Sequence, residues 1–402
     1  MLINIFVQTA VISLPQRPYS LGTGLLTNVN KENWKIKRRL IDPAFHRKYL
    51  KFMVPQMNSC CDILINKLAG KADGKTRVHM LNELSNLTLD VISKVGLGVD
   101  FNVILDENAP FKKAFEMALQ SSHDAFVASP LEMIRCVFSA STQQKDAVEA
   151  IKLLRGTGKA IILKRQDEIK NGGDDVPLDL LTCILKTCEI DNETINMEDL
   201  IDEFVTFFFG GHDTTASMLS SFLMELSDHP KIEEKLVREI NDVMGVRSEV
   251  EFKDLANLKY TGFVIKEILR VYPPANSTTR VTVQDENIGG YSIPEGTAVE
   301  VNIYAACHNP EYFEEPFKFK PERWEISEEE KPSHCTWTPF SIEPRNCIGQ
   351  MFALIEAKVV LTRLLRVFRF SLVDGQTKSM TTRIIVRPTD GVICTLNLRE
   401  DS

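Results

Sequence analysis

The stretch from Asn196 to Ser227 has helix signals at both ends and the apolar run Phe204-Val205-Thr206-Phe207-Phe208-Phe209 between them. Asn196 suits an N-cap, Glu198 and Asp199 suit a first turn, and Asp228-His229-Pro230 suits a stop. At roughly 30 residues such a helix is about 45 Å long and crosses the whole molecule. Its middle reads Gly210-Gly211-His212-Asp213-Thr214-Thr215. Adjacent glycines weaken a helix by about 1 kcal/mol each relative to Ala, so they need a reason. One reading is close helix packing with a locally satisfied Asp213. The other is that the helix opens there and leaves room beside its backbone, with Asp213 and Thr214 placed to relay protons.

Most of the remaining chain also reads as helix, with period 3.6 in Phe111 to Leu119 and Ala147 to Ile169. Strand signals are few and late. Val299, Val301 and Ile303 alternate with Glu300 and Asn302, Phe368, Phe370 and Leu372 alternate with Arg369 and Ser371, and Val392 to Leu396 forms a further run. No Pro/Ser/Gly-rich linker divides the 402 residues, and the clearest loop, Asn171-Gly172-Gly173-Asp174-Asp175, is short. The expectation is one mainly α domain over residues 1–402, with Glu328-Glu329-Glu330 in a solvated loop.

A net charge of -8 argues against a nucleic-acid surface. The exception to the acidic balance is a basic cluster of Lys31, Lys35, Lys37, Arg38 and Arg39, followed by Arg47, Lys48 and Lys51. Nine cysteines with no repeating spacing and no CxxC pair suggest neither a disulfide framework nor a zinc site. No two of the seven His have the His-x-x-x-His spacing of a metal site. The apolar run Met1 to Leu14, interrupted by Asn4 and Gln8 and halted at Pro15, is too short to span a bilayer, so no anchor is expected from it.

One cysteine stands apart. Cys347 ends the turn-rich segment Trp337-Thr338-Pro339-Phe340-Ser341-Ile342-Glu343-Pro344-Arg345-Asn346, just before a helix apolar on most faces (Phe352, Leu354, Ile355, Val359, Val360, Leu361). Free N–H groups and the positive end of a helix dipole favour a thiolate there, and a thiolate can hold a metal. Elsewhere, Glu267 and Arg270 share a helix face at i, i+3 before Tyr272-Pro273-Pro274, and Pro321-Glu322-Arg323-Trp324 precedes the cysteine loop. Trp34 and Arg38 share a face of another predicted helix.

In order along the chain, Trp34-x-x-x-Arg38, Gly210 to Thr215, Glu267-x-x-Arg270, Pro321-Glu322-Arg323-Trp324 and Phe340-x-x-x-x-Arg345-x-Cys347-x-Gly349 resemble the motif series of the cytochrome P-450 family. The resemblance implies a large helical haem domain with small β-sheets, here N-terminally incomplete. It implies heme b with Cys347 as axial thiolate, a ligand that favours O–O cleavage. Phe340 would pack near the sulfur, and Trp34, Arg38, Arg280 and Arg345 would hold the haem propionates. Glu267, Arg270 and Arg323 would form a buried charge network. Asp213 and Thr214 would handle protons while one atom of O2 enters a C–H bond. Electrons would come from an NADPH-dependent cytochrome reductase docking on the cluster around Lys35, Lys37 and Arg39, at the cytosolic face of the endoplasmic reticulum membrane.

Within the family the text is most similar to the cholesterol 24-hydroxylase branch, in Lys71-Ala72-Asp73-Gly74, Asp202 to Phe208, Cys347-Ile348-Gly349-Gln350 and Val392 to Leu396. That implies an apolar sterol in a pocket of Phe204, Phe207, Phe208, Gly210, Ala275, Ser277 and Thr278. Gly-His-Asp-Thr-Thr equally suits relatives that hydroxylate fatty acids or other lipids, and a catalytically silent truncated isoform is a further alternative. One residue departs from the family: Glu343 stands where a Gly is usual. A Cβ held at positive φ there predicts strain of about 1–2 kcal/mol.

Overall fold

The computed structural model describes residues 22–127, 142–172, 176–190, 195–326, 335–382 and 384–399. The expectations for Met1 to Leu14, Gly173 to Asp175 and Glu328 to Glu330 lie outside these residues. The main helices are α1 (Lys31–Ile41), α2 (Val54–Ala69), α3 (Met80–Val91), α4 (Pro110–Val127), α5 (Thr142–Lys170), α6 (Leu180–Ile190), α7 (Met197–Leu226), α8 (Pro230–Met244), α9 (Lys259–Val271) and α10 (Gln350–Val367).

The long central helix forms as its sequence dictates. The side chain of Asn196 accepts a hydrogen bond from the Asp199 N–H at 2.8 Å, satisfying one of the first-turn donors, while Glu198 and Asp199 meet the positive end of the dipole. α7 is buried along most of its length against α3, α5, α9 and α10. Its Phe208, Leu219 and Phe222 are almost fully enclosed, each worth about 1.5–3 kcal/mol of removed apolar surface.

Strands are short and antiparallel. β1 (Val78–His79), β9 (Ile393–Leu398) and β6 (Phe368–Leu372) make one sheet in the order β1-β9-β6. β2 (Ser277–Val281) pairs with β5 (Ala298–Asn302), β3 (Glu286–Ile288) with β4 (Tyr291–Ile293), and β7 (Met380–Thr382) with β8 (Val386–Pro388). The expected late strands are all present, with two boundary changes. Ile303 opens a helical turn, Ile303–Cys307, because the Asn302 side chain caps it by accepting from the Ala305 N–H. Val392 sits at φ 54, outside the strand that follows it.

Candidate active site

An apolar cavity of about 310 Å³ lies where α7, the cysteine loop and two connecting loops meet. Cys347 lines it, and no other cysteine of the described residues does. The Cys347 N–H donates to the Phe340 carbonyl at 2.8 Å, closing the loop on itself, and α10 starts three residues later at Gln350. The water-accessible surface of Cys347 opens into this cavity, which is why the residue is both exposed and deep in the protein. Burial pushes its thiol pKa up, opposed by the Gly349 N–H and the Arg38 charge.

Cations gather on one side. Trp34, Arg38, Arg280 and Arg345 all line the cavity. Arg38 donates to the backbone and side-chain oxygens of Asn346 at 2.7 and 3.1 Å, tying α1 to the residue beside Cys347. The Arg345 guanidinium lies 4.2 Å over the Trp34 ring and donates to the Asn28 carbonyl. Arg280 donates to Thr278 Oγ1 and the Thr279 carbonyl. Among the described residues neither Arg280 nor Arg345 has a carboxylate within ion-pair distance, and burial together with the neighbouring Arg280 charge lowers the Arg345 pKa to about 10. Two like charges facing one cavity call for an anion between them.

The α7 face toward the cavity carries Phe207, Gly210, Gly211, Thr214 and Met218, spaced as one helical stripe. Phe204 and Phe208 do not belong to it. They meet edge to face at i, i+4 (ring centroids 5.0 Å), and Phe208 packs on Phe101, Phe111 and Phe115 in the core. Strand alternation corrects a second expectation: Thr278 and Arg280 face the cavity from β2, so Ser277, between them and Asn276, is turned away. Ala275 lines the cavity as expected.

The helix does not open at its glycines; α7 runs unbroken through them, and the two serve different ends. A Cβ on Gly211 would meet Ile92 Cδ1 at 3.0 Å, the packing reading, whereas a Cβ on Gly210 would meet nothing within 4 Å, leaving a free space at the cavity wall. Thr214 Oγ1 donates to the Gly210 carbonyl at 2.7 Å, which leaves its lone pairs to accept from the cavity. Asp213 lies off the cavity, 3.9 Å from Arg387 of β8, so it makes no direct contact with the space it was expected to serve. His212 is equally outside, with Nε2 2.7 Å from Ser85 Oγ, and burial lowers its pKa to about 4.

Beneath the cysteine loop the charge network is present. Glu267 and Arg270, both fully buried, pair through two bonds of 2.9 and 2.8 Å, and Arg323 Nε reaches Glu267 at 2.9 Å. Trp324 Nε1 and the Lys320 N–H complete the carboxylate's shell. Arg270 in turn donates to the Cys307 carbonyl at 3.0 Å and the Pro316 carbonyl at 2.5 Å, so the network staples a long connection to α9.

Two further expectations are overturned. Lys37 is no docking charge: it is 2% exposed and paired with Asp199 at 2.7 Å and Glu203 at 3.8 Å on α7. Glu343 is exposed and is not among the residues at positive φ; Ser341, at φ 60, takes the left-handed position of the loop. Glu343→Gly therefore has no left-handed strain to relieve. Cavity residues that the sequence reading did not single out include Leu25, Leu26, Phe45, Phe209, Ile384 and Ile385. They sit in loops, in the short helical turn Asp42–Phe45 or on a run of three Phe, where no period marks a pocket wall.

The sequence profile of the family Cytochrome P450 matches residues 8–395, and the chain belongs to that family. It is 32% identical to Cytochrome P450 4d2 of Drosophila melanogaster over 389 residues, covering 92% of this chain and 77% of the relative. It is 32% identical to Cytochrome P450 4F3 of Rattus norvegicus over 393 residues, covering 94% and 73%. Among solved structures the cytochrome P450DA haem domain superposes with a TM-score of 0.85 at 24% identity over 95% of this chain and 81% of that one, a likeness of fold.

The family's cofactor is haem with a cysteine thiolate on its iron, and the residues present fit it. Cys347 supplies the one cavity-lining thiol among the described residues, Arg280 and Arg345 the cations for two propionates, and Gly210 the clearance beside α7. When bound, the haem supplies O2 activation and the insertion of one oxygen atom into a C–H bond. Among the described residues no helix is long and apolar enough to cross a membrane.

Proposed function

We propose that this cytochrome P450 monooxygenase acts on a fatty acid or a similar flexible lipid. The carrying observation is the apolar lining of the cavity that Thr214 shares: Leu25, Phe45, Phe207, Met218, Ile384 and Ile385 face it with hydrocarbon and offer few polar groups, which suits an alkyl chain. The segments behind the sterol reading are largely scaffold. Lys71 to Gly74 is a turn after α2 bridged to Asn397 through Asp73, and Ile393 to Leu396 lie in β9, the central strand of a sheet. Thr206, Phe207 and the cysteine loop do line the cavity, but the loop is common to the family. The similarity to relatives of the P450 4 series agrees with this alternative better than with the cholesterol 24-hydroxylase branch.

In this reading the apolar wall holds the chain and excludes water, and the Thr214 hydroxyl passes protons where O2 is activated. Thr214→Ala keeps haem binding and lowers product formation by on the order of 10²-fold, with NADPH use diverted to hydrogen peroxide. Unchanged product per NADPH would contradict the role. Electrons would enter from an NADPH-dependent reductase on the α1 side of the cysteine loop, through exposed Lys35, Arg47 and Lys48 rather than buried Lys37. The endoplasmic reticulum remains the proposed location on the strength of the resemblance alone.

Spectral titration of the holoprotein with dodecanoic acid and with cholesterol tests the substrate class. The reading expects a spin-state shift with dodecanoic acid at concentrations at least about tenfold below any produced by cholesterol. A shift with cholesterol and none with the fatty acid would overturn it.

A further inference from the structure

Two loops face the cavity and lie outside helices and strands: Pro274-Ala275, leaving α9, and Ile384-Ile385, entering β8. Val386 joins them. Its N–H donates to the Pro274 carbonyl at 2.9 Å, and its own carbonyl accepts from Ser217 Oγ at 2.6 Å. Both backbone groups of Val386 thus point away from its β7 partner Thr382, and the Ser217 hydroxyl ties the pair of loops to α7, beside the Arg387–Asp213 ion pair one residue along. Ser217 lies one turn beyond Thr214 on that helix, is 1% exposed and does not line the cavity.

The destination of that hydroxyl is unusual for a helical serine. Ser220, one turn further on and equally buried, donates back to the Ala216 carbonyl at 2.7 Å, within its own helix. Ser217 instead reaches across to a strand. Without it the Val386 carbonyl would lose its partner in a buried setting, and of the polar ties between β8 and α7 the 3.9 Å Arg387–Asp213 contact would remain. Ile384-Ile385 and Thr214 line the same cavity, so a shift of one against the other would change which stretch of a bound chain lies at Thr214.

We propose that Ser217 is a positioning residue that sets the site of oxidation along the substrate by holding Ile384-Ile385 and Pro274-Ala275 in register with Thr214. This rests on the lipid-hydroxylase reading above. Wild type, Ser217→Ala and the control Ser220→Ala are compared by haem content, by the distribution of hydroxylated dodecanoic acid products, and by hydrogen exchange of the 384–388 segment. Ser217→Ala is expected to keep haem content, change the ratio of major to minor product by at least about threefold, and speed exchange at Val386 by a similar factor. Ser220→Ala changes neither. Ser217→Cys, similar in shape with a weaker donor, carries the same expectation should the alanine variant fold poorly. An unchanged product ratio in Ser217→Ala or Ser217→Cys, or an equal change in Ser220→Ala, would overturn the proposal. If wild type forms no dodecanoate product, the lipid reading fails, and exchange decides alone: faster exchange confined to the Ser217 variants supports the register role, and unaltered protection refutes it.

Discussion

Glu267→Ala is expected to destabilise the protein by about 3–5 kcal/mol, enough to abolish haem retention at physiological temperature. The fully buried carboxylate accepts from Arg270, Arg323, Trp324 and the Lys320 backbone. Its removal leaves the Arg270 guanidinium, also at 0% exposure, with carbonyl acceptors but no counter-charge. A well-packed apolar replacement of the whole network could be neutral, whereas loss of one partner strands a charge. The exposed i, i+3 pair of Glu32 and Lys35 gives the contrast: Glu32→Ala stays within about 0.5 kcal/mol. Urea midpoints measured for both variants check this, and a Glu267→Ala loss below about 1 kcal/mol would mean that the network is not what holds the segment under the cysteine loop.

That network was legible in the sequence because its parts fall in a recognisable order, with Pro321-Glu322-Arg323-Trp324 supplying the third partner. Lys37 shows the opposite case. In the chain it is one charge within a basic run, and the acid that buries it, Asp199, lies 162 residues away. The end signals of α7 depend on adjacent residues and were readable, yet which of its Phe residues meet the cavity depends on where the cavity lies, and 100° per residue separates Phe207 from Phe208. No strand was expected over Ser277–Val281, so the neighbours Ser277 and Thr278 were both assigned to the pocket, whereas alternation along β2 sends Thr278 and Arg280 there and turns Ser277 away. Leu25-Leu26 and Ile384-Ile385 are short apolar pairs in loops, indistinguishable in sequence from core residues. The left-handed position at Ser341 went unseen because serine carries no signal for positive φ, while the missing glycine at Glu343 drew attention to a residue with ordinary geometry.

Cys347→Ser is expected to abolish oxygenation altogether. A serine hydroxyl is not ionised near neutral pH and is no soft ligand, so the iron would lose the electron-rich axial group on which the chemistry depends. The loop itself should survive, since its closing bond uses the Cys347 backbone N–H and the Phe340 carbonyl, not the sulfur. Cys335→Ser is the control. Cys335 is exposed and outside the cavity, and its replacement leaves turnover within about twofold of wild type. Equal loss in the two variants would point to a folding defect instead of a lost ligand.

The most direct measurement of the central claim is the carbon monoxide difference spectrum of the reduced, haem-loaded wild-type protein. A Soret band at the long-wavelength position, present in wild type and Cys335→Ser and absent in Cys347→Ser, is the result this account predicts. A short-wavelength band in the wild-type protein, as from a nitrogen or protonated ligand, would contradict it.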